Sequence, residues 1–210
     1  MKIAIIGATG NIGLQIARQA LQRRHQVSVV TRRSELPAEL AGAQLAPADA
    51  LDVPALTAAI RGHDVLVSAY GPGPASATGV PQVAQALVAA ARAAGVKRLI
   101  VVGGAGSLYV APGLQLVDTP AFPEMYKPYA LAHREALAVL REAGGLAWTF
   151  FAPAAMIGPG EQLGQFRIGS DQLISDAAGN SRISYADYAD AFVTEIETAA
   201  HPQQVMTVAY

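Results

Sequence analysis

The sequence predicts an α/β protein: one Rossmann-like domain built on a doubly wound parallel sheet with helices on both faces. Three observations predict it. Short runs rich in Ile and Val alternate with Ala- and Leu-rich segments of helical period, the pattern of a buried parallel sheet covered by its crossover helices. A glycine turn, Gly7-Ala8-Thr9-Gly10-Asn11-Ile12-Gly13, links the first strand to the first helix, where dinucleotide-binding units carry theirs. The chain has 210 residues, 52% hydrophobic and 15% charged, enough to bury roughly 70% of its unfolded surface in a single core.

The elements follow in order. The apolar run at 2–6 is the first strand, stopped by Gly7, and a helix over 11–23 opens after the glycine turn. The second strand, 26–31, contains Val27-Ser28-Val29-Val30 and ends in Thr31-Arg32-Arg33. A third strand at 43–46 precedes Asp49, and Asp52 caps a helix at 53–61. The fourth strand, 64–68, runs into Ala69-Tyr70-Gly71, followed by a helix at 79–94. A fifth strand at 97–102, a helix at 126–143, a sixth strand at 146–151, a helix at 185–199 and a last strand at 204–208 complete the series. No repeat or linker divides the chain, so the domain is 1–210. Two segments, 103–125 and 152–184, break the alternation; they leave the carboxyl ends of strands, where open α/β sheets bind ligands, and are the candidate substrate walls.

Charge narrows the partners. Fifteen Lys and Arg face 16 Asp and Glu, a net of -1, so no basic surplus exists for nucleic acid or an anionic membrane. Without cysteine there are no disulfides, thiolate metal sites or cysteine nucleophiles, no metal is expected, and the chain leans cytoplasmic. The N-terminus reads as a strand because Gly7, Gly10 and Gly13 interrupt its apolar run. Charge-free stretches at 65–91 and 99–117 are long enough to raise a membrane span, but their Pro and Gly residues favour strand, loop and helix. A small-molecule substrate and a monomer or homodimer are the expected partner and state.

In the glycine turn, Gly7 allows the tight bend, Gly10 lets a pyrophosphate approach the backbone, and Gly13 lets helix and strand pack closely. The amides of Asn11 and Ile12 and the positive end of the helix dipole then favour an anion beside Thr9 and Gly10. NADP(H) is favoured over NAD(H), which stays open, because Arg32 stands where an acid would otherwise read the ribose hydroxyls. The alternative is a solvated Arg32 and Arg33 pair with Glu35 reading the ribose. Asp49 is either an acceptor for the adenine amino group or a cap or turn residue. Ala69, Tyr70 and Gly71 would let the cofactor ribose lie against the backbone, unless Tyr70 only covers the sheet edge.

These motifs, with Val102-Gly103-Gly104-Ala105-Gly106-Ser107-Leu108, Trp148-Thr149, Pro153 with Gly158-Pro159-Gly160, and Arg182-Ile183-Ser184-Tyr185-Ala186-Asp187-Tyr188-Ala189, resemble the atypical short-chain dehydrogenase/reductase group. Within it the likeness is to NADH-flavin reductases and biliverdin/flavin reductase B proteins, over nearly the whole chain. The resemblance implies a Rossmann-like fold, a reduced nicotinamide cofactor with Pro153 among its binding residues, and hydride transfer to a flavin (FMN or FAD), a quinone or a similar conjugated acceptor. It also implies that Ser107 would hydrogen-bond a substrate oxygen, the alternative being a loop serine that merely terminates the strand.

The departures matter as much. Ketone-reducing members carry Tyr-x-x-x-Lys; this chain has Tyr129-Ala130-Leu131-Ala132-His133, the same spacing with histidine in the lysine place, so Tyr129 and His133 share a helix face. That face is either catalytic or a packing stripe continued by Leu137 and Leu140. Tyr126 competes with Tyr129 for an acid role, and Lys127 has the wrong spacing to replace the lysine. A flavin or quinone delocalises incoming charge, so alignment can suffice where an isolated ketone needs a proton donor. Two other readings stand beside a reductase: a cofactor-sensing regulator like the NmrA-like proteins, without turnover, and a sugar epimerase or dehydratase. The second is disfavoured by the short chain after the sixth strand and by Ala152 where those enzymes tend to carry arginine.

Overall fold

The structure, a computed structural model, describes residues 1–71 and 79–210. The first half contains β1 (Lys2–Ile6), α1 (Asn11–Gln22), β2 (Gln26–Thr31), β3 (Gln44–Pro47), α2 (Val53–Ile60), β4 (Val65–Ser68), α3 (Gly79–Ala94) and β5 (Arg98–Val102). The second contains β6 (Tyr109–Ala111), β7 (Leu114–Gln115), α4 (Lys127–Arg141), β8 (Ala147–Ala152) and β9 (Met156–Gly158). It ends with β10 (Arg167–Gly169), β11 (Arg182–Ser184), α5 (Tyr185–Thr198) and β12 (Gln204–Ala209).

Among the described residues, eight strands form one sheet in the order β10-β12-β8-β5-β4-β1-β2-β3. From β3 the chain crosses back to the far side of β1, and this reversal opens a crevice at the carboxyl ends of β1 and β4. Alternation in β1 serves two layers: Ile3 and Ile5 face the cluster of α1 and α5 with Ile16, Phe192 and Ile196. Ala4 and Ile6 face the cluster of α2, α3 and α4 with Leu56, Leu87 and Leu137. A strand covered on both sides must be apolar at every position, which is why β1, β4 and β5 read as continuous Ile/Val/Leu runs. Pro47 is tolerated because β3 is an edge strand.

The expected strands and helices are all present, with small shifts at the ends. The helix expected at 126–143 is shorter, Lys127–Arg141; Pro128 belongs to its first turn, and Gly145 follows its end with φ +77°. The sheet is not wholly parallel, since β10 pairs antiparallel with β12, Arg167 opposite Ala209. A three-residue strand carries too little alternation to reveal itself or its direction. The two irregular segments also hold structure: β6 and β7 form a hairpin in the first, and β9 pairs parallel with β11 across the second.

Among the described residues, no helix is long and apolar enough to cross a membrane. The charge-free stretch 65–91 holds β4 and part of α3, with 72–78 outside the described residues; 99–117 holds β5 and the hairpin. The late Ser184-to-Ala189 motif is an anchoring device. Ser184 Oγ caps α5 by accepting from Asp187 N at 3.0 Å. The fully buried Asp187 carboxylate accepts from Leu163 N at 2.9 Å, Gly164 N at 2.8 Å and Tyr210 Oη at 2.6 Å. Desolvation pushes its pKa up, but these hydrogen bonds outweigh burial and hold it below the usual carboxylate range. Tyr188 Oη donates to Phe151 O at 2.6 Å, pinning α5 to the sheet.

Candidate functional site

The glycine turn is built by steric necessity at two positions. Gly7 has φ +77°, and a Cβ there would lie 2.4 Å from Ala69 O. A Cβ on Gly13 would meet Gly7 O at 2.2 Å and Ala69 Cβ at 3.0 Å, so helix, turn and fourth strand can close only around hydrogen atoms. Gly10 differs, its nearest protein neighbour being Gly7 O at 3.4 Å, an ordinary contact. The space above Gly10 is open, as a close approach of pyrophosphate requires. Gly10 N donates to Gly7 O at 3.0 Å and Gly10 O accepts from Leu14 N at 2.8 Å. The amides of Asn11, Ile12 and Gly13 precede the first intrahelical donor, no side chain among the described residues caps them, and no acid stands in the first turn. This end fits a phosphate group. Thr9, Gly10 and Asn11 are exposed, Ile12 is half-buried, and Ala69 and Tyr70 lie half-buried beside the turn with Gly71 exposed at its rim.

Across the second strand, Arg32 Nη1 approaches Asp49 Oδ2 at 3.6 Å, with the arginine side chain 81% exposed. Asp49 Oδ1 accepts from Leu51 N at 2.9 Å, so the turn role foreseen for it is present, and Asp52 caps α2 through Ala55 N at 3.0 Å. The structure thus brings Arg32 and Asp49 together beyond the second strand, with Arg32 lightly held.

At the other end lies a cavity of about 420 Å³. The turn after β5 (Gly104, Ala105, Gly106), the following segment (Leu116, Thr119, Phe122, Pro123), the start of α4 (Tyr126, Tyr129, His133) and the loop after β8 (Ala155, Met156) form its wall. Both segments set apart in the sequence therefore contribute to it. Close packing shapes the wall: a Cβ on Gly104 would touch His133 Cβ at 3.2 Å, and one on Gly106 would overlap Ala130 Cβ at 2.6 Å.

Tyr129 and His133 line this cavity together, while Leu137 and Leu140 continue their face into the core. His133 Nδ1 is shut off from solvent and has no hydrogen-bond partner among the described residues. Burial lowers the imidazole pKa to about 4, so it is neutral at pH 7. Among the described residues, no carboxylate and no lysine lines the cavity. Lys127 pairs instead with Glu124 at 3.1 Å. Ser107 is buried beneath the turn, with Oγ unpartnered among the described residues, and does not line the cavity. Pro153 is buried just after β8.

The sequence reading missed Met156, Leu116 and Phe122, which carry no local signal beyond being apolar. It also missed Arg182, treated only as part of a motif, which lines a second cleft of about 820 Å³ sharing Tyr126, Ala155 and Met156 with the cavity.

A sheet wound in this order, with uncapped helix-start amides at its reversal point, defines the class as a Rossmann-like dinucleotide-binding domain. The chain belongs to the NAD(P)H-binding family, whose model matches residues 7–199. It is 40% identical over 212 aligned positions to YwnB of Bacillus subtilis, covering 99% of this chain and 98% of that protein. Among solved structures, a "putative exported protein" from Burkholderia pseudomallei is 53% identical with a TM-score of 0.94 and full coverage of both chains. A "putative epimerase" from Bacteroides thetaiotaomicron is 36% identical, TM-score 0.92, covering 100% of this chain and 96% of that one. A "putative NADH-flavin reductase" from Streptococcus pneumoniae is 31% identical, TM-score 0.88, covering 100% and 99%. The relationship to NADH-flavin reductase-like proteins expected from the motifs is therefore present. The cytoplasmic expectation is corrected by the Burkholderia relative, which is described as exported. That expectation leaned on the absence of cysteine, and a chain of this size folds without disulfides in either compartment.

Proposed function

We propose that the protein is an NADPH-dependent reductase whose acceptor is a flavin, a quinone or a similar conjugated ring. The observation that carries this reading is the cavity beside the carboxyl ends of β5 and β8, apolar in its walls and, among the described residues, without lysine or carboxylate. The cofactor would supply the hydride. Gly7, Gly10, Gly13 and the Asn11 and Ile12 amides hold its pyrophosphate, with Thr9 at the rim of the turn. Arg32 takes the 2'-phosphate, which favours NADPH over NADH, and Asp49 borders the adenine. Ala69, Tyr70, Gly71 and Pro153 bound its nicotinamide half.

Within the cavity the chain's own contribution is alignment and exclusion of water. Leu116, Phe122 and Met156 offer apolar surface to a planar ring, and Tyr129 closes one side. A neutral His133 cannot act as the permanent cation that would depress a tyrosine pKa, so proton donation to an isolated ketone is weak here. A delocalised acceptor needs no such donor, and positioning can contribute roughly 7 to 11 kcal/mol at best. Tyr129 is then an aid to orientation, and Ser107, buried beneath the turn, does not reach the acceptor. The epimerase reading is less well supported, because among the described residues the titratable side chains on the cavity wall are Tyr126, Tyr129 and His133.

Steady-state NADPH oxidation against FMN, quinones, biliverdin and simple ketones tests the proposal. Turnover with conjugated acceptors and little with ketones is expected. Tight NADPH binding with no turnover on any conjugated acceptor would overturn it in favour of a cofactor sensor. Tyr129→Phe is expected to slow flavin reduction by less than about tenfold; a hundredfold slower step at unchanged affinities would make the tyrosine a catalytic acid instead.

A further inference from the structure

The larger cleft beside the apolar cavity carries the next step, which rests on the reductase reading. Its wall includes Arg182, and Arg182 lies directly opposite Met156 in the parallel pairing of β11 with β9. Met156 is a wall residue of the cavity. One strand spacing, about 4.8 Å, therefore separates the backbone of the cavity rim from the backbone that carries the guanidinium.

The arginine is poised. Its Cζ sits 5.8 Å from the centre of the Tyr210 ring, a cation–π distance. That ring is fixed at its far end, where Tyr210 Oη donates to Asp187 Oδ2 at 2.6 Å and accepts from Ser184 N at 3.1 Å. Among the described residues no carboxylate is within ion-pair distance of Arg182. Asp176 attracts it only from farther off, its oxygens occupied by Asn180 and by the Ala178 amide. Glu161 also lines the cleft, and a carboxylate there suits hydroxyl groups on a linker between ring and anion.

We propose that Arg182 is an anion anchor for the acceptor: the conjugated ring occupies the apolar cavity, and a phosphate or other anion carried on its tail is held by the Arg182 fork in the adjoining cleft. Flavins that differ only in the terminal phosphate provide the probe. KM and kcat with FMN and with riboflavin are measured for the wild type, Arg182→Gln and Arg182→Lys, together with binding of each flavin by fluorescence quenching in the presence of NADP+.

The wild type is expected to favour FMN over riboflavin on the order of tenfold in KM and Kd, since a charge-assisted fork on an exposed arginine is partly screened. Arg182→Gln should erase that ratio while leaving riboflavin kinetics and kcat unchanged, and Arg182→Lys should restore part of it. The side chain is exposed and the strand pairing is by backbone, so these variants should fold. If FMN and riboflavin are reduced with equal KM in all three proteins, the anchor is refuted and the reductase reading stands. Arg182-dependent preference for FMN in binding without NADPH oxidation would keep the anchor and refute the reductase. Binding of neither flavin refutes the anchor.

Discussion

Replacing His133 by glutamine should change how stability depends on pH more than how large it is at neutrality. The imidazole sits between Gly104 and Phe150, whose ring centroid is 6.5 Å away, with Nδ1 unpartnered among the described residues. Burial disfavours the imidazolium and lowers the pKa from 6.5 to about 4. The unfolded chain thus takes up a proton below pH 6.5 that the folded chain refuses until about pH 4. The unfolded state binds more protons in that window, so stability falls as pH drops through it. Integrating the two titrations gives a loss of about 2 kcal/mol by pH 5 and about 3 kcal/mol by pH 4, relative to pH 7.5.

Glutamine does not titrate, so His133→Gln should lack this loss while every other group titrates as before. Urea unfolding of both proteins at pH 7.5, 6 and 5 isolates the effect as a change in their stability difference. A gap that shifts by about 2 kcal/mol in the variant's favour between pH 7.5 and 5 is expected. Curves that fall in parallel would mean that His133 is solvated or paired, and would remove the neutral-histidine premise of the proposed chemistry.

Three further outcomes follow from the same geometry. Gly13→Ala should destabilise the fold or expel the cofactor, because its Cβ would sit 2.2 Å from Gly7 O, whereas Gly10→Ala should fold normally and Gly10→Val should weaken NADPH binding; calorimetry showing unchanged NADPH affinity in a folded Gly10→Val protein would undo the site. Arg32→Ala should raise the NADPH Kd about tenfold with NADH nearly unchanged and thermal stability preserved, since its contact with Asp49 is exposed; equal losses for both cofactors in the Arg32/Arg33 double alanine variant would contradict the assignment. Asp187→Ala should cost about 3 kcal/mol by leaving the Leu163 and Gly164 amides without their acceptor. The native contribution of Asp187 is present above the unfolded pKa and disappears as pH falls through its lowered folded value, so a midpoint in urea unaffected by the substitution at pH 7 would refute its anchoring role.

What the sequence determined by itself was everything governed by neighbours along the chain. The apolar run at Lys2 to Ile6, the glycines at 7, 10 and 13, and the Asp52 cap each encode a local conformation, and each lies where its pattern placed it. Continuous apolar runs for the buried strands and the 3.6-residue period for the helices decided the main elements, and the handedness of parallel crossovers left few ways to arrange them. The four-residue spacing likewise put Tyr129 and His133 on one face.

Tertiary structure alone decided what that face meets. Whether His133 is charged depends on Gly104, Phe150 and the closed wall around it, which are distant in sequence. Ser107 followed the expected strand end, yet the turn at Ala105 to Ser107 tucks its hydroxyl under the loop rather than onto the cavity wall. The pairing of Arg32 with Asp49 depends on β2 and β3 lying side by side, and the approach of Arg182 to Met156 on a two-stranded ladder closed across 25 intervening residues. Short strands such as β9, β10 and β11 have no periodicity to read. Burial, register and unpaired polar atoms are properties of the folded surface, set by long-range packing, and a one-dimensional pattern does not carry them.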